Sequence, residues 1–267
     1  MGNIVSDSGN KSVGIAIDSV THRFGPGQLT LDNVSLNVEP GEFVAIVGPS
    51  GCGKTTLLNL VAGLLPTQEG TITLANEQPR PGHPLVGYML ARDALFGWRT
   101  VRRNVELGAE IRGQDEALRE IRAVELIRQV GLAGYEDAYP KALSHGMRQR
   151  AALARTFCLD VAVLLMDEPF GALDAQTKLQ LEDLLLDLWT RERRTVLFVT
   201  HDLNEALVLA DRVVVMGRNP GTIRLVVQVT LPRPREARML QSDPHFHDLS
   251  ATIWRELEGG MGPWLDR

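Results

Sequence analysis

The stretch Glu42-Phe-Val-Ala-Ile-Val-Gly-Pro-Ser-Gly-Cys-Gly-Lys-Thr-Thr-Leu-Leu-Asn-Leu-Val-Ala62 decides the fold. Its centre, Gly48 to Thr56, satisfies G-x-x-x-x-G-K-[ST] at every position. Small residues in such a loop let backbone N–H groups converge on phosphate oxygens. Lys54 supplies a point charge for the β- and γ-phosphates, and the Thr55 hydroxyl is placed to ligate Mg²⁺. The candidate nucleotide-binding residues here are Gly48, Pro49, Ser50, Gly51, Cys52, Gly53, Lys54, Thr55 and Thr56. The apolar run Glu42–Val47 reads as a buried strand and Thr56–Ala62 as a helix, which is the strand–loop–helix context the motif requires. Cys52 at a helix start invites a lowered pKa; a small residue filling a loop position is the simpler reading.

Working outward, the chain reads as strands alternating with helices. From Val13 to Val47, short alternating strands are separated by Phe24-Gly-Pro-Gly27 and Glu39-Pro-Gly41, a pattern of antiparallel β. Gly70–Leu74 reads as one more short strand. Helical periodicity runs from about Thr100 to Val130, with Leu118, Ile121, Val124, Ile127 and Val130 in phase and Gly131 as the stop. Val161–Met166, Thr195–Val199 and Arg212–Met216 are continuous apolar runs of strand length, as strands covered on both faces should be. Leu181, Leu184, Leu185 and Leu188 make a core-facing helical stripe. The alternation implies an α/β fold with a doubly wound, mostly parallel sheet. After Leu231-Pro-Arg-Pro-Arg235, the residues Leu249, Ile253, Trp254 and Leu257 suggest one short amphipathic helix in a solvated tail. His245 and His247 lie in that tail with no nearby thiolate or carboxylate cluster to complete a metal site.

Composition excludes some functions. The 267 residues carry a net charge of −5, and phosphate backbones demand a basic face, so nucleic acid is not expected as the main partner. No apolar run approaches the roughly 20 residues of a membrane span, and no signal-peptide core opens the chain. Two cysteines, Cys52 and Cys158, make no disulfide framework. Met1–Ser6 matches a myristoylation pattern, read here as coincidence in a polar leader.

Candidate catalytic groups cluster at strand ends. The run Val161–Met166 leads into Asp167-Glu168-Pro169, which aims two acids at the phosphates, since ligands bind at the carboxyl ends of such strands. Asp167 suits Mg²⁺, directly or through water. Glu168 suits a general base for attacking water, a role worth about 10²–10⁴ in rate. His201 ends another buried strand, where it can meet Glu168 and the γ-phosphate. Asp174, in Gly171-Ala-Leu-Asp174, can turn toward a neighbouring site.

Taken in order, the loop at 48–56, Leu143-Ser-His-Gly-Met-Arg-Gln-Arg150, Asp167-Glu168, Asp174 and His201 resemble the nucleotide-binding subunit of an ABC transporter. The resemblance spans about Ile15 to Val229. It implies a P-loop NTPase fold with an N-terminal antiparallel β subdomain and a helical subdomain bearing the signature motif. It also implies ATP and Mg²⁺ as cofactors, and a head-to-tail dimer with a second ATP-binding subunit. In that dimer Ser144 and Gly146 would bind the γ-phosphate held by the partner's loop. Phe24 falls where the family stacks an aromatic ring on adenine. The implied partners are transmembrane permease subunits and, indirectly, a periplasmic or lipoprotein substrate-binding protein; the implied place is the cytoplasmic face of the inner membrane.

Within the family, Arg92–Thr100, Met147–Arg150, Leu164–Gln176 and Leu197–Ala206 are similar to importers of nitrate, aliphatic sulfonates and taurine. The expected organisation is a leader over 1–12, the ATPase domain over 13–230 with its helical subdomain at about 88–160, and an extension over 231–267. Three positions depart from the family pattern. Ala91 stands in place of a glutamine that contacts the metal or the attacking water, a loss of roughly 1.5–3 kcal/mol or ten- to a hundredfold in rate. His145 replaces the first glycine of the signature motif, which would cost about a kcal/mol if that position needed positive φ. Gly97 replaces a proline beside Trp98, in the region that receives a helix of the membrane subunit. Ala91 and His145 motivate an alternative, a hydrolysis-impaired or regulatory subunit. Another alternative is a soluble ABC ATPase with no membrane partner.

Overall fold

The computed structural model describes residues 12–259 except 26, 92, 172 and 241; the myristoylation-like hexapeptide and nearly all of the expected leader lie outside them. The chain opens with β1 (Ile15–Phe24) and β2 (Gln28–Val38), then β3 (Phe43–Val47), the helix α1 (Lys54–Val61) and β4 (Glu69–Leu74). β1 pairs antiparallel with both β2 and β4 in a three-stranded sheet. The short β5 (Val86–Met89) leads into four helices: α2 (Val101–Val105), α3 (Leu107–Ile111), α4 (Glu116–Gln129) and α5 (His145–Cys158). The core then resumes with β6 (Val163–Asp167), α6 (Ala175–Glu192), β7 (Thr195–Val199), α7 (Leu203–Leu209), β8 (Arg212–Met216) and β9 (Ile223–Gln228).

The main sheet runs β5-β6-β7-β3-β8-β9, parallel throughout except for the antiparallel edge strand β9. Alternate residues of each central strand serve opposite faces. Val196 and Phe198 join the core beneath α5, α6 and α7, whereas Leu197 and Val199 join the core under α1 and the small antiparallel sheet. Two buried faces explain why these strands read as unbroken apolar runs. Phe43 lies between Trp189 and Phe198, with ring centroids 5.6 and 5.7 Å away, an arrangement worth about 0.5–1.5 kcal/mol per pair beyond area burial.

Four readings change. The helical region 100–130 is three helices, broken where Gly113 takes φ +69° and Asp115 caps α4 through Ala117 N and Leu118 N. Its stripe also splits. Ile127 and Val130 are buried, but Leu118 and Ile121 are two-thirds exposed, because Ala123 and Leu126 supply the inner face instead. β5 and β9 went unread: β5 has four residues, and β9 alternates only between half-buried and exposed. The C-terminal segment is not a solvated tail. After α8 (Ala237–Leu240), the sixteen-residue α9 (Pro244–Gly259) packs on α7, β8 and β9, burying Phe246, Ile253 and Leu257. Buried Arg235 secures the connector by donating to the carbonyls of Leu207, Val208 and Ala210 at the end of α7. His245 and His247 do stay exposed, with His245 Nε2 2.6 Å from Thr230 Oγ1. Among the described residues no helix is long and apolar enough to cross a membrane.

Candidate functional site

Three neighbouring parallel strands, β6, β7 and β3, end side by side, and the chain leaving each carries a candidate group. Asp167 pairs with Val199 and Val199 with Ile46, so these carboxyl ends share one rung of the sheet. The Glu168 amide donates to Val199 O (2.9 Å), and the Thr200 amide to Ile46 O (3.1 Å).

The loop after β3 is shaped by backbone demands. Gly51 and Gly53 hold φ of +78° and +99°, a region glycine enters without steric cost. A Cβ on Gly53 would also lie 2.5 Å from Leu31 Cδ2, and one on Gly48 2.6 Å from Met216 O. Lys54 is the first residue of α1 and is buried; its ammonium donates to Gly48 O (2.8 Å) and Pro49 O (3.2 Å). Pro49 and Ser50 line the turn, half-buried and exposed, and Thr56 is half-buried behind it. Burial pushes the Cys52 thiol up, against the pull of Lys54, so its position at a helix start does not activate it and the filler reading holds.

Opposite the loop, Thr55 Oγ1 donates to Asp167 Oδ1 at 3.0 Å. Burial raises the Asp167 pKa, the Thr55 hydrogen bond opposes it, Glu168 adds to the rise and Lys54 works against it. Glu168 itself sits at φ +45°, a left-handed conformation that costs a non-glycine residue roughly 1–3 kcal/mol and marks a constrained site. That backbone turn sends its carboxylate to His201, with Oε2 3.1 Å from Nδ1. Gly171 lies over the pair: a Cβ there would be 3.6 Å from His201 Cε1 and 3.7 Å from Glu168 Oε2.

The signature segment forms a separate feature. Ser144 caps α5, its hydroxyl accepting from Met147 N at 3.3 Å. His145 begins the helix and is not among the residues with positive φ, so the strain considered for it does not arise. Gly146 is required by packing, since a Cβ would fall 2.8 Å from Thr177 Cγ2 on α6. Asp174 caps α6: its carboxylate accepts from Thr177 N (3.0 Å) and Thr177 Oγ1 (2.7 Å), and these bonds lower its pKa. Its side chain is thus engaged on its own helix. No hydrogen bond or ion pair among the described residues joins Ser144–Arg150 to Gly48–Thr56.

Phe24, at the end of β1, is exposed and meets the buried His22 edge to face at 4.8 Å. Ala91, also exposed, follows β5 and brings no polar group. Trp98 is three-quarters exposed and packs on Phe96, whose loop is held by the buried Asn104 through Phe96 N, Phe96 O, Arg99 O and Thr100 O. Gly97 has open space where a side chain would stand.

Two groups escaped the sequence reading. Buried Gln149 donates to Pro169 O, linking the signature helix to the acidic pair. Tyr88 donates to Asn59 Oδ1 at 3.1 Å, and burial together with nearby Asp167 raises its pKa. The apolar strand around Tyr88 and the quoted Arg-Gln-Arg run held the only hints, and neither names a partner.

Comparison with known proteins follows this geometry. A family profile described as ABC transporter matches residues 31–171. An ATP-binding protein of Brucella abortus is 45% identical over 240 residues, covering 90% of this chain and 92% of its own length. The aliphatic sulfonates import ATP-binding protein SsuB of Bacillus cereus is 38% identical over 249 residues, covering 92% and 96%. The dimeric structure of MJ0796, a bacterial ABC transporter cassette, superposes with a TM-score of 0.70 at 30% identity, covering 82% of this chain and all of that one. The same cassette in a post-hydrolysis state with ADP and Pi gives 0.70 at 28% identity, with the same coverage.

Proposed function

The chain belongs to the ABC transporter family as an ATP-binding, ATP-hydrolysing subunit, and on that premise we propose that it is the energy-coupling ATPase of a bacterial importer for a small anion such as a sulfonate, taurine or nitrate. The observation that carries the reading is the alignment of three strand ends, which puts Thr55 with Asp167 and Glu168 with His201. In this proposal Glu168 takes the proton of water attacking the γ-phosphate, and His201 holds that carboxylate in place. Backbone amides of Gly48–Thr56 and the Lys54 ammonium bind the β- and γ-phosphates, and Phe24 stacks on the adenine. Thr55 and Asp167 present the hard oxygen donors that Mg²⁺ takes and would hold it together with phosphate oxygens. When bound, the cation neutralises phosphate charge.

Two copies pair head to tail, so that Ser144, Gly146 and the Asp174 turn of one face the phosphates held by the other. The dimeric cassette supports that arrangement, and the sulfonate-import relative supports the anion class. Permease subunits receive the motion of the dimer, a substrate-binding protein delivers the cargo, and the chain sits peripherally on the cytoplasmic face. The 13–230 segment acts as the ATPase domain, and the residues after 230 brace it.

Steady-state hydrolysis with the permease present tests the chemistry. Wild type should exceed Glu168→Gln by about 10²-fold or more, and Ala91→Gln should be faster than wild type. Equal rates for wild type and Glu168→Gln would remove Glu168 from its role. In proteoliposomes, hydrolysis should rise with binding protein loaded with a sulfonate, taurine or nitrate; no response to any of them sinks the anion reading.

A further inference from the structure

Behind His201 lies a charged cluster that the mechanism above leaves unused. Lys178, one turn into α6, ion-pairs with Asp202 Oδ2 and Glu205 Oε1, each at 2.5 Å. Asp202 directly follows His201 and caps α7, its Oδ1 accepting from Asn204 N (2.8 Å) and Glu205 N (3.4 Å). Glu205 is fully buried and accepts a hydrogen bond from Thr200, the residue directly before His201. Thr200 Oγ1 in turn accepts from Asp202 N at 3.0 Å. Both chain neighbours of His201 are therefore tied, through carboxylates, to one ammonium. His201 itself is exposed and meets Glu168 only through Nδ1, so its place depends on this framework.

The charges fit a tether. Burial opposes the Lys178 charge, but Asp202 and Glu205 outweigh it and raise its pKa. Burial likewise opposes the Asp202 charge, and Lys178 outweighs it. Buried Glu182, one turn further along α6, is pushed up to about 8 by burial and then by Glu205. It therefore adds little negative charge at neutral pH, and burial pushes the Glu205 carboxyl up as well, against the pull of Lys178 and Thr200.

We infer that Lys178 is a positioning residue for ATP hydrolysis, holding the Thr200–Asp202 turn so that His201 stays against Glu168. The inference rests on the roles proposed above for Glu168 and His201. It also joins α6, whose cap is Asp174, to the turn bearing His201. Lys178 makes no hydrogen bond or ion pair with Gly48–Thr56 among the described residues, so nucleotide binding should not depend on it.

The test is a double-mutant cycle read by steady-state and single-turnover hydrolysis with the permease present. Lys178→Met should lower kcat about ten- to a hundredfold, the effect of losing charge-assisted hydrogen bonds, with KM for ATP within about twofold. Lys178→Arg should recover most of the rate. In a His201→Ala background, Lys178→Met should cost less than about twofold, because nothing remains to be positioned. Should Lys178→Met fail to fold by circular dichroism, Lys178→Met/Glu205→Gln removes the tether and one buried charge together and is read in the same way. A folded variant within twofold of wild type overturns the inference, as does a Lys178 effect of equal size with and without His201. Wild-type speed in His201→Ala removes His201 from the mechanism first, and the inference falls with it.

Discussion

Two helix starts are proposed above to meet nucleotide, and they are built in opposite ways. The start of α1 is closed upon its own chain: Lys54 is buried against Gly48 O and Pro49 O, Thr55 reaches Asp167, and Leu31 leaves no room for a side chain at Gly53. The start of α5 is open: Ser144 and His145 are exposed, and the Ser144 hydroxyl satisfies only Met147 N. Orphan amides at a helix start seek an acceptor. A loop whose side chains are held by its own subunit, while the amides of its helix start take no side-chain cap, can hold phosphate within one subunit. A helix start left open, with its one glycine fitted against the neighbouring helix, suits a ligand carried in by a second molecule.

The largest expected effect falls on the closed start. Lys54→Ala should abolish measurable nucleotide binding and lower hydrolysis by about 10²–10³, the scale for losing one preorganised donor to developing charge. Retention of wild-type nucleotide affinity, measured with a fluorescent ATP analogue, would break the contrast at once.

Next comes the open start. Gly146→Ala places a methyl 2.8 Å from Thr177 Cγ2, and the clash should outweigh the roughly 1 kcal/mol that alanine gains over glycine in a helix. Hydrolysis by the dimer should fall about tenfold while ATP affinity of the isolated subunit stays unchanged, and Thr177→Ser, which deletes the clashing methyl, should restore the rate. If affinity of the isolated subunit fell in parallel, the two starts would be one site.

Beside the open start runs α6, which carries a pH signature. The Glu182 pKa is raised to about 8 from 4.5, so the folded state binds more protons than the unfolded state between those values. Stability should be fullest below about pH 4.5 as far as this group is concerned, and be lost as pH rises toward 8. The slope is at most about 1.4 kcal/mol per pH unit. Urea denaturation across that range should show a flatter profile for Glu182→Gln; identical slopes would remove Glu182 as the source.

The smallest effect belongs to His145→Gly. Because His145 is helical without positive φ, glycine relieves no strain and should cost up to about 1 kcal/mol of helix stability. A clear gain in melting temperature would show that strain exists after all.

Much of this site was legible because its elements are local. The loop glycines, the acids after an apolar run and the histidine after another each declare themselves within ten residues. What stayed hidden depends on contacts between distant segments. Gln149 reaches Pro169, and Lys178 reaches Asp202 and Glu205, across separations that no periodicity records. The exposed Leu118 and Ile121 misled for a related reason: apolar spacing announces a helix but not which face its neighbours cover. The C-terminal helix docks because Phe246, Ile253 and Leu257 find a surface on α7, β8 and β9 that lies far away in sequence.

By itself, then, the sequence determined the fold class, the order of the strands that bear acids, and the identity of the phosphate loop, since each follows from short-range sterics and hydrophobic period. Only the tertiary structure decided that Glu168 bends into a left-handed turn toward His201, that Gly146 answers to Thr177 rather than to its own φ, and that one half-buried ammonium stands behind the histidine. Close packing and buried charge act through space, and their strength depends on distances that the order of residues along the chain does not contain.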